Sequence, residues 1–178
     1  DKDRMLAEGY RAIWLQHFCK EWSQPKDAAF AIRTGLHSRT IPVPELMNDH
    51  GTYRPFYQID SDAVCVNQYL KCVKFGFGQA TDNACYDIRE GLLTRAEAAK
   101  LVEQCDGSVS GSLFSEFMTG IDVDIKEARE TVRMFRGDMW DVAASGLCRL
   151  KEPLWEQPEV VAEINKSALI RSLLVWCE

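Results

Sequence analysis

The chain is built mainly from stretches in which apolar residues recur at three- and four-residue steps. From Arg4 to Glu21, Leu6, Tyr10, Ile13, Trp14 and Phe18 form one such stripe, which predicts an amphipathic helix. Pro25 opens a second short helix, with Gly35 beyond its end. A third runs from Asp62 to Lys74, with Val66, Tyr69, Leu70 and Val73 on one face. Phe75-Gly76-Phe77-Gly78 breaks it, and Thr81-Asp82 starts a fourth that Gly91 closes. Thr94 to Glu97 has the form of a capping box, a hydroxyl at the N-cap and a carboxylate three residues on, and the helix it opens stops at Asp106-Gly107. Further helices are expected over Leu113–Met118, after Asp124, and from Pro158 to Trp176. No stretch alternates as a strand does, and residues 36–60, punctuated by Pro42, Pro44, Gly51 and Pro55, keep no period. The pattern predicts an all-α fold: a compact multi-helix domain spanning residues 1–178 with one long irregular loop at about 36–60.

Composition narrows the function classes. A hydrophobic fraction of 46% over 178 residues supports one folded domain with flanking helices at 1–35 and 150–178. A net charge of −6 argues against nucleic acid as a partner, because phosphate neutralisation needs a basic face. The longest apolar stretches fall short of the roughly 20 residues that cross a bilayer, and Asp1-Lys2-Asp3-Arg4 does not open a signal peptide. Neither a membrane nor an extracellular location is expected, and the seven scattered cysteines read as reduced thiols of a cytoplasmic protein. No metal site is expected, since His17, His37 and His50 stand outside zinc spacing to any pair of cysteines.

The stretch richest in chemistry is Lys71 to Asp82. Lys71 and Lys74 lie one turn apart at the end of one helix, Gly76 and Gly78 make an elbow, and Thr81-Asp82 begins the next helix. Cations beside a fresh helix N-terminus suit an anion, because unsatisfied N–H groups and the positive dipole end point outward there. The competing reading is a solvated lysine pair beside a tight turn, with Phe75 and Phe77 in the core. His50, Asp82 and Asp87 are acid–base candidates, but no set of nucleophile, base and orienting group is legible from spacing, and the catalytic residues stay unassigned.

Lys71 to Gly107, KCVKFGFGQATDNACYDIREGLLTRAEAAKLVEQCDG, resembles the corresponding stretch of bacterial N-acetyl sugar amidotransferases. Gly51-Thr52-Tyr53 resembles the G-T-Y that precedes it, and Phe114 to Trp140 resembles the aromatic and acidic segment that follows. The likeness covers about residues 51–142, the C-terminal region of those enzymes. It implies a reaction in which ATP activates the acetamido oxygen of a nucleotide sugar and ammonia displaces AMP, leaving an acetamidino group. An imidate of that kind must be shielded from water, which suits a helical lid. The chain has no S-G-G-x-D-S phosphate loop; Ser110-Gly111-Ser112 lacks the second Gly and the Asp, and Gln79 stands at the family's Arg.

The resemblance implies a substrate-side domain, a fragment or separate subunit, whose complete enzyme uses ATP and magnesium held outside this chain. Its implied partners are a PP-loop ATPase domain or subunit, a glutaminase that donates ammonia, and the nucleotide sugar. On this reading Lys71, Lys74, Gly76, Gly78, Thr81 and Asp82 face the nucleotide sugar, with Thr52 and Tyr53 in a loop that covers it. The alternative is a non-catalytic helical module that docks another chain.

Overall fold

A computed structural model describes residues 2–10 and 22–166, and these fall into two compact units, one up to His37 and one from Ser38 onward. In the first unit, α1 (Lys2–Ala7) ends in a turn at Glu8-Gly9, so the stripe expected to run from Arg4 to Glu21 is interrupted at its first glycine. Residues 11–21 lie outside the described residues. Helix α2 (Gln24–Arg33) starts as the sequence predicts, with Pro25 in its first turn and the Ser23 side chain accepting from the Lys26 N–H.

The second unit holds α3 (Val43–His50), α4 (Ala63–Phe75), α5 (Gln79–Arg89), α6 (Arg95–Cys105), α7 (Gly111–Gly120), α8 (Ile125–Met134) and α9 (Pro158–Lys166). The fold is all-α in class. Helix α6 is its centre, packed by α3, α5, α9 and a 3-10 turn at Leu154–Glu156. Its small buried residues, Ala96, Ala98 and Ala99, let those neighbours approach closely. Met47, Tyr53, Ala84, Leu101, Val102 and Cys105 fill this core, and Trp155 leans on it. A second cluster, Val66, Phe114, Met118 and Ala128, joins α4, α7 and α8. The Thr94–Glu97 capping box forms in full, with both reciprocal hydrogen bonds present.

Two elements depart from the sequence reading. Helix α3 lies inside the segment expected to be irregular; Pro44 in its first turn starts it and Gly51 caps its end. A small antiparallel hairpin pairs β1 (Trp140–Val142) with β2 (Cys148–Leu150), Trp140 opposite Leu150. Three-residue strands with no buried side chain are too short to show an alternation in sequence. The C-terminal helix is described as far as Lys166, and the remainder of the stripe expected through Trp176 lies outside the described residues.

Candidate functional site

The elbow between α4 and α5 is shaped by glycines. Gly76 takes a left-handed conformation, φ 79°, and its N–H closes α4 on the Cys72 carbonyl at 2.8 Å. A Cβ there would stand 2.9 Å from Met139 Cγ, so the elbow rests directly against the chain entering the hairpin. Phe75 and Phe77 flank it and are 51% and 40% exposed, outside the core where the competing reading put them. Each carries a cation on its ring: Lys71 Nζ lies 4.5 Å from the Phe77 centroid and Lys74 Nζ lies 5.1 Å from that of Phe75. Lys71 also pairs with Asp82 across the elbow. The structure thus gathers Lys71, Lys74, Gly76 and Asp82 on one half-exposed surface, with two aromatic faces between them.

The helix start behind that surface is occupied. Asp106, just past the end of α6, reaches to the N-terminus of α5 and accepts from the Gly78 N–H at 2.9 Å and the Ala80 N–H at 2.9 Å. It also takes the Thr81 N–H at 3.3 Å and the Thr81 hydroxyl. Its carboxylate fills the place that a phosphate would take at a free helix N-terminus. Burial pushes the Asp106 carboxyl above its ordinary value, and the bonds from Thr81, Gly78 and Ala80 pull it back only in part. The expectation that Gly78 and Thr81 offer free donors to a ligand is therefore corrected: the chain's own carboxylate has taken them.

Thr52 and Tyr53 are also placed differently from a solvent-facing cover. Gly51, at φ 64°, brings the backbone so close to Ser108 that a Cβ would stand 2.8 Å from its carbonyl oxygen. The residues that follow turn inward. Thr52 Oγ1 accepts from Asn83 Nδ2 at 3.1 Å, and the Tyr53 hydroxyl donates to Asp87 Oδ2 at 2.6 Å. The guanidinium of Arg54 donates to the other Asp87 oxygen, also at 2.6 Å. All of these side chains are buried, and burial together with the bond to Asp87 pushes the Tyr53 phenol far above its ordinary value. A buried carboxylate is tolerated only with such partners, so this loop clamps α5 from within.

Gln79, which stands at the family's Arg, is 4% exposed. Its Nε2 donates to Asn83 Oδ1 at 3.0 Å, while its Oε1 has no partner among the described residues. With Gln68, His50 and Cys65 it lines a small pocket behind the clamp, whose free space is about that of one water molecule. His50, Asp62 and Cys65 meet at one edge of that pocket, a grouping their sequence spacing does not announce. It arises because α3 ends where α4 begins.

The fold and this elbow define a helical domain that carries a cationic, aromatic surface and a self-capped helix behind it. The LPS biosynthesis protein WbpG-like C-terminal domain family matches residues 50–150, and the chain belongs to it. The match spans the stretch that carries the resemblance, and it makes the chain a domain of polysaccharide biosynthesis. No curated protein matches the chain. Among the described residues no helix is long and apolar enough to cross a membrane. Ser110 caps α7 through the Leu113 N–H, and its hydroxyl meets Ser112 at 3.0 Å, so this serine-glycine turn does not fit the phosphates of ATP.

Proposed function

We propose that this domain supplies the sugar-nucleotide side of an ATP-dependent N-acetyl sugar amidotransferase, and that the α4–α5 elbow is the surface that meets the nucleotide sugar. The observation that carries this is the pairing of Lys71 and Lys74 with the exposed rings of Phe77 and Phe75. A nucleotide sugar offers a planar base and a diphosphate, and rings interleaved with cations suit both by stacking and charge. Asp106 keeps the α5 amides for the fold, so the charge for the diphosphate comes from Lys74 and from Lys71, which must exchange its bond to Asp82 for the ligand.

On this reading the activating ATP and magnesium sit on a PP-loop partner, with ammonia supplied by a glutaminase. The domain's own work is to hold the acetamido sugar and limit water around it. Isothermal calorimetry with UDP-N-acetylglucosamine and UDP-N-acetylgalactosamine tests the reading. Heat of binding that is lost in Lys71→Glu/Lys74→Glu supports it; no heat with either ligand, even beside a PP-loop partner, overturns it.

A second reading, a module that docks another protein chain, is favoured by one feature. Met134 and Leu147 are 81% and 74% exposed, the most open of the large apolar side chains among the described residues. The two readings are compatible if these side chains meet the PP-loop partner.

A further inference from the structure

We infer that His50, Asp62 and Cys65 form a binding site for a single zinc-class divalent ion, with one coordination position open to the pocket lined by Gln68 and Gln79. His50 is the last residue of α3, Asp62 immediately precedes α4, and Cys65 lies in the first turn of α4. Their donor atoms all lie within 4.8 Å of one another. His50 Nδ1 stands 3.5 Å from Cys65 Sγ and 3.7 Å from the nearer Asp62 oxygen.

The Cys65 thiol is within hydrogen-bond reach of His50 Nδ1, while the Asp62 oxygen, held by Arg39, stands beyond it. Thiol and carboxylate nevertheless face the same ring nitrogen, which carries either one proton or one lone pair and can bond only one of them. A nucleophilic cysteine relay would instead place its thiol and its carboxylate on different nitrogens of the ring. With metal–nitrogen and metal–sulfur bonds of about 2.05 and 2.3 Å, tetrahedral geometry sets nitrogen and sulfur about 3.5 Å apart, matching His50 and Cys65. Thiolate, imidazole and carboxylate together select zinc-class ions over magnesium or calcium.

A second observation points to a ligand in the same place. Gln68 Oε1 and Gln79 Oε1 are buried acceptors with no partner among the described residues, and both residues line the pocket beside His50 and Cys65. Buried acceptors of that kind call for a donor, and a metal-bound water in the fourth position provides two O–H groups. Three protein ligands with one open position are the pattern of zinc sites that act on bound molecules. Arg39 is the charged neighbour: its guanidinium pairs with Asp62 at 2.7 Å and also donates to the Gln58 carbonyl. Arg39 and His50 face the same Asp62 oxygen, so the ion must compete with this guanidinium for it. Loading the site forms an S–metal bond and releases the thiol proton to solvent.

Cobalt(II) titration of the metal-free, reduced chain tests the proposal. Expected are the visible bands of tetrahedral cobalt, a near-ultraviolet thiolate-to-cobalt band, saturation at one ion per chain, and displacement by one equivalent of zinc. Cys65→Ser should abolish the thiolate band while Cys85→Ser leaves it unchanged. Should Cys65→Ser fail to fold by circular dichroism, Asp62→Asn, at a half-exposed position, should weaken cobalt binding about tenfold or more. Absence of tetrahedral bands in the native chain overturns the site, as does a thiolate band that survives in folded Cys65→Ser or unchanged affinity in Asp62→Asn. Nucleotide-sugar binding at the elbow is read separately by calorimetry, so either claim can fail without the other.

Discussion

The Asp106 carboxylate holds the Gly78 N–H at 2.9 Å, and through that bond the end of α6 caps the start of α5 from about 28 residues away in sequence. A residue just past the end of one helix thus performs the service that a local Ser or Asp performs elsewhere in this chain, as Ser110 and Asp124 do for α7 and α8.

Asp106→Ala should therefore destabilise the chain by about 3 kcal/mol, the combined cost of losing a cap and leaving buried donors without acceptors. Asp106→Asn keeps one acceptor oxygen and should cost about 1 kcal/mol. Urea unfolding checks both values. Hydrogen exchange should show the Ala80 and Thr81 amides opening faster in the alanine variant.

The clamp on Asp87 should be the most sensitive polar feature of the core. Asp87→Ala removes the carboxylate that Arg54 and Tyr53 share, and it should cost about 3–5 kcal/mol. Tyr53→Phe leaves the Arg54–Asp87 pair in place and should cost about 2 kcal/mol. Equal losses in the two variants would show that the phenol, and not the carboxylate, organises the cluster.

Burial divides the thiols. The Cys72 thiol is pushed up to about 12, by desolvation first and by the nearby Asp106 charge second, whereas Cys85 is exposed. Alkylation at pH 8 followed by peptide mapping should modify Cys85 readily and Cys72 only after unfolding. The raised folded value means that Cys72 contributes stability fully below about 9.0, its ordinary value. That contribution is lost as pH climbs from there toward about 12, because only the unfolded chain ionises in that window.

Much of this architecture is legible in the sequence because its helices carry local signals. Thr94 and Glu97 announce a helix start, Gly76 and Gly91 mark ends, and the Val66–Val73 stripe gives the buried face of α4. The parts that escape are settled by partners distant in sequence. Nothing near Gly78 says that Asp106 will take its N–H, so the anion-ready helix start looks free when read locally. Thr52 and Tyr53 read as a loop, and only the fold shows that Asn83 and Asp87 wait beneath them. His50, Asp62 and Cys65 meet for the same reason: the intervening residues return the chain to the end of α3. Lys71 and Lys74 were legible as neighbours, whereas the exposure of Phe75 and Phe77 was not.

The elbow is tested most directly by titrating UDP-N-acetylglucosamine into the isotopically labelled chain and following its amide NMR signals. Shifts concentrated on residues 71–82, and absent in Lys71→Glu/Lys74→Glu, are the predicted result. An unchanged spectrum at saturating ligand, or shifts confined to residues far from Phe75 and Phe77, would contradict it.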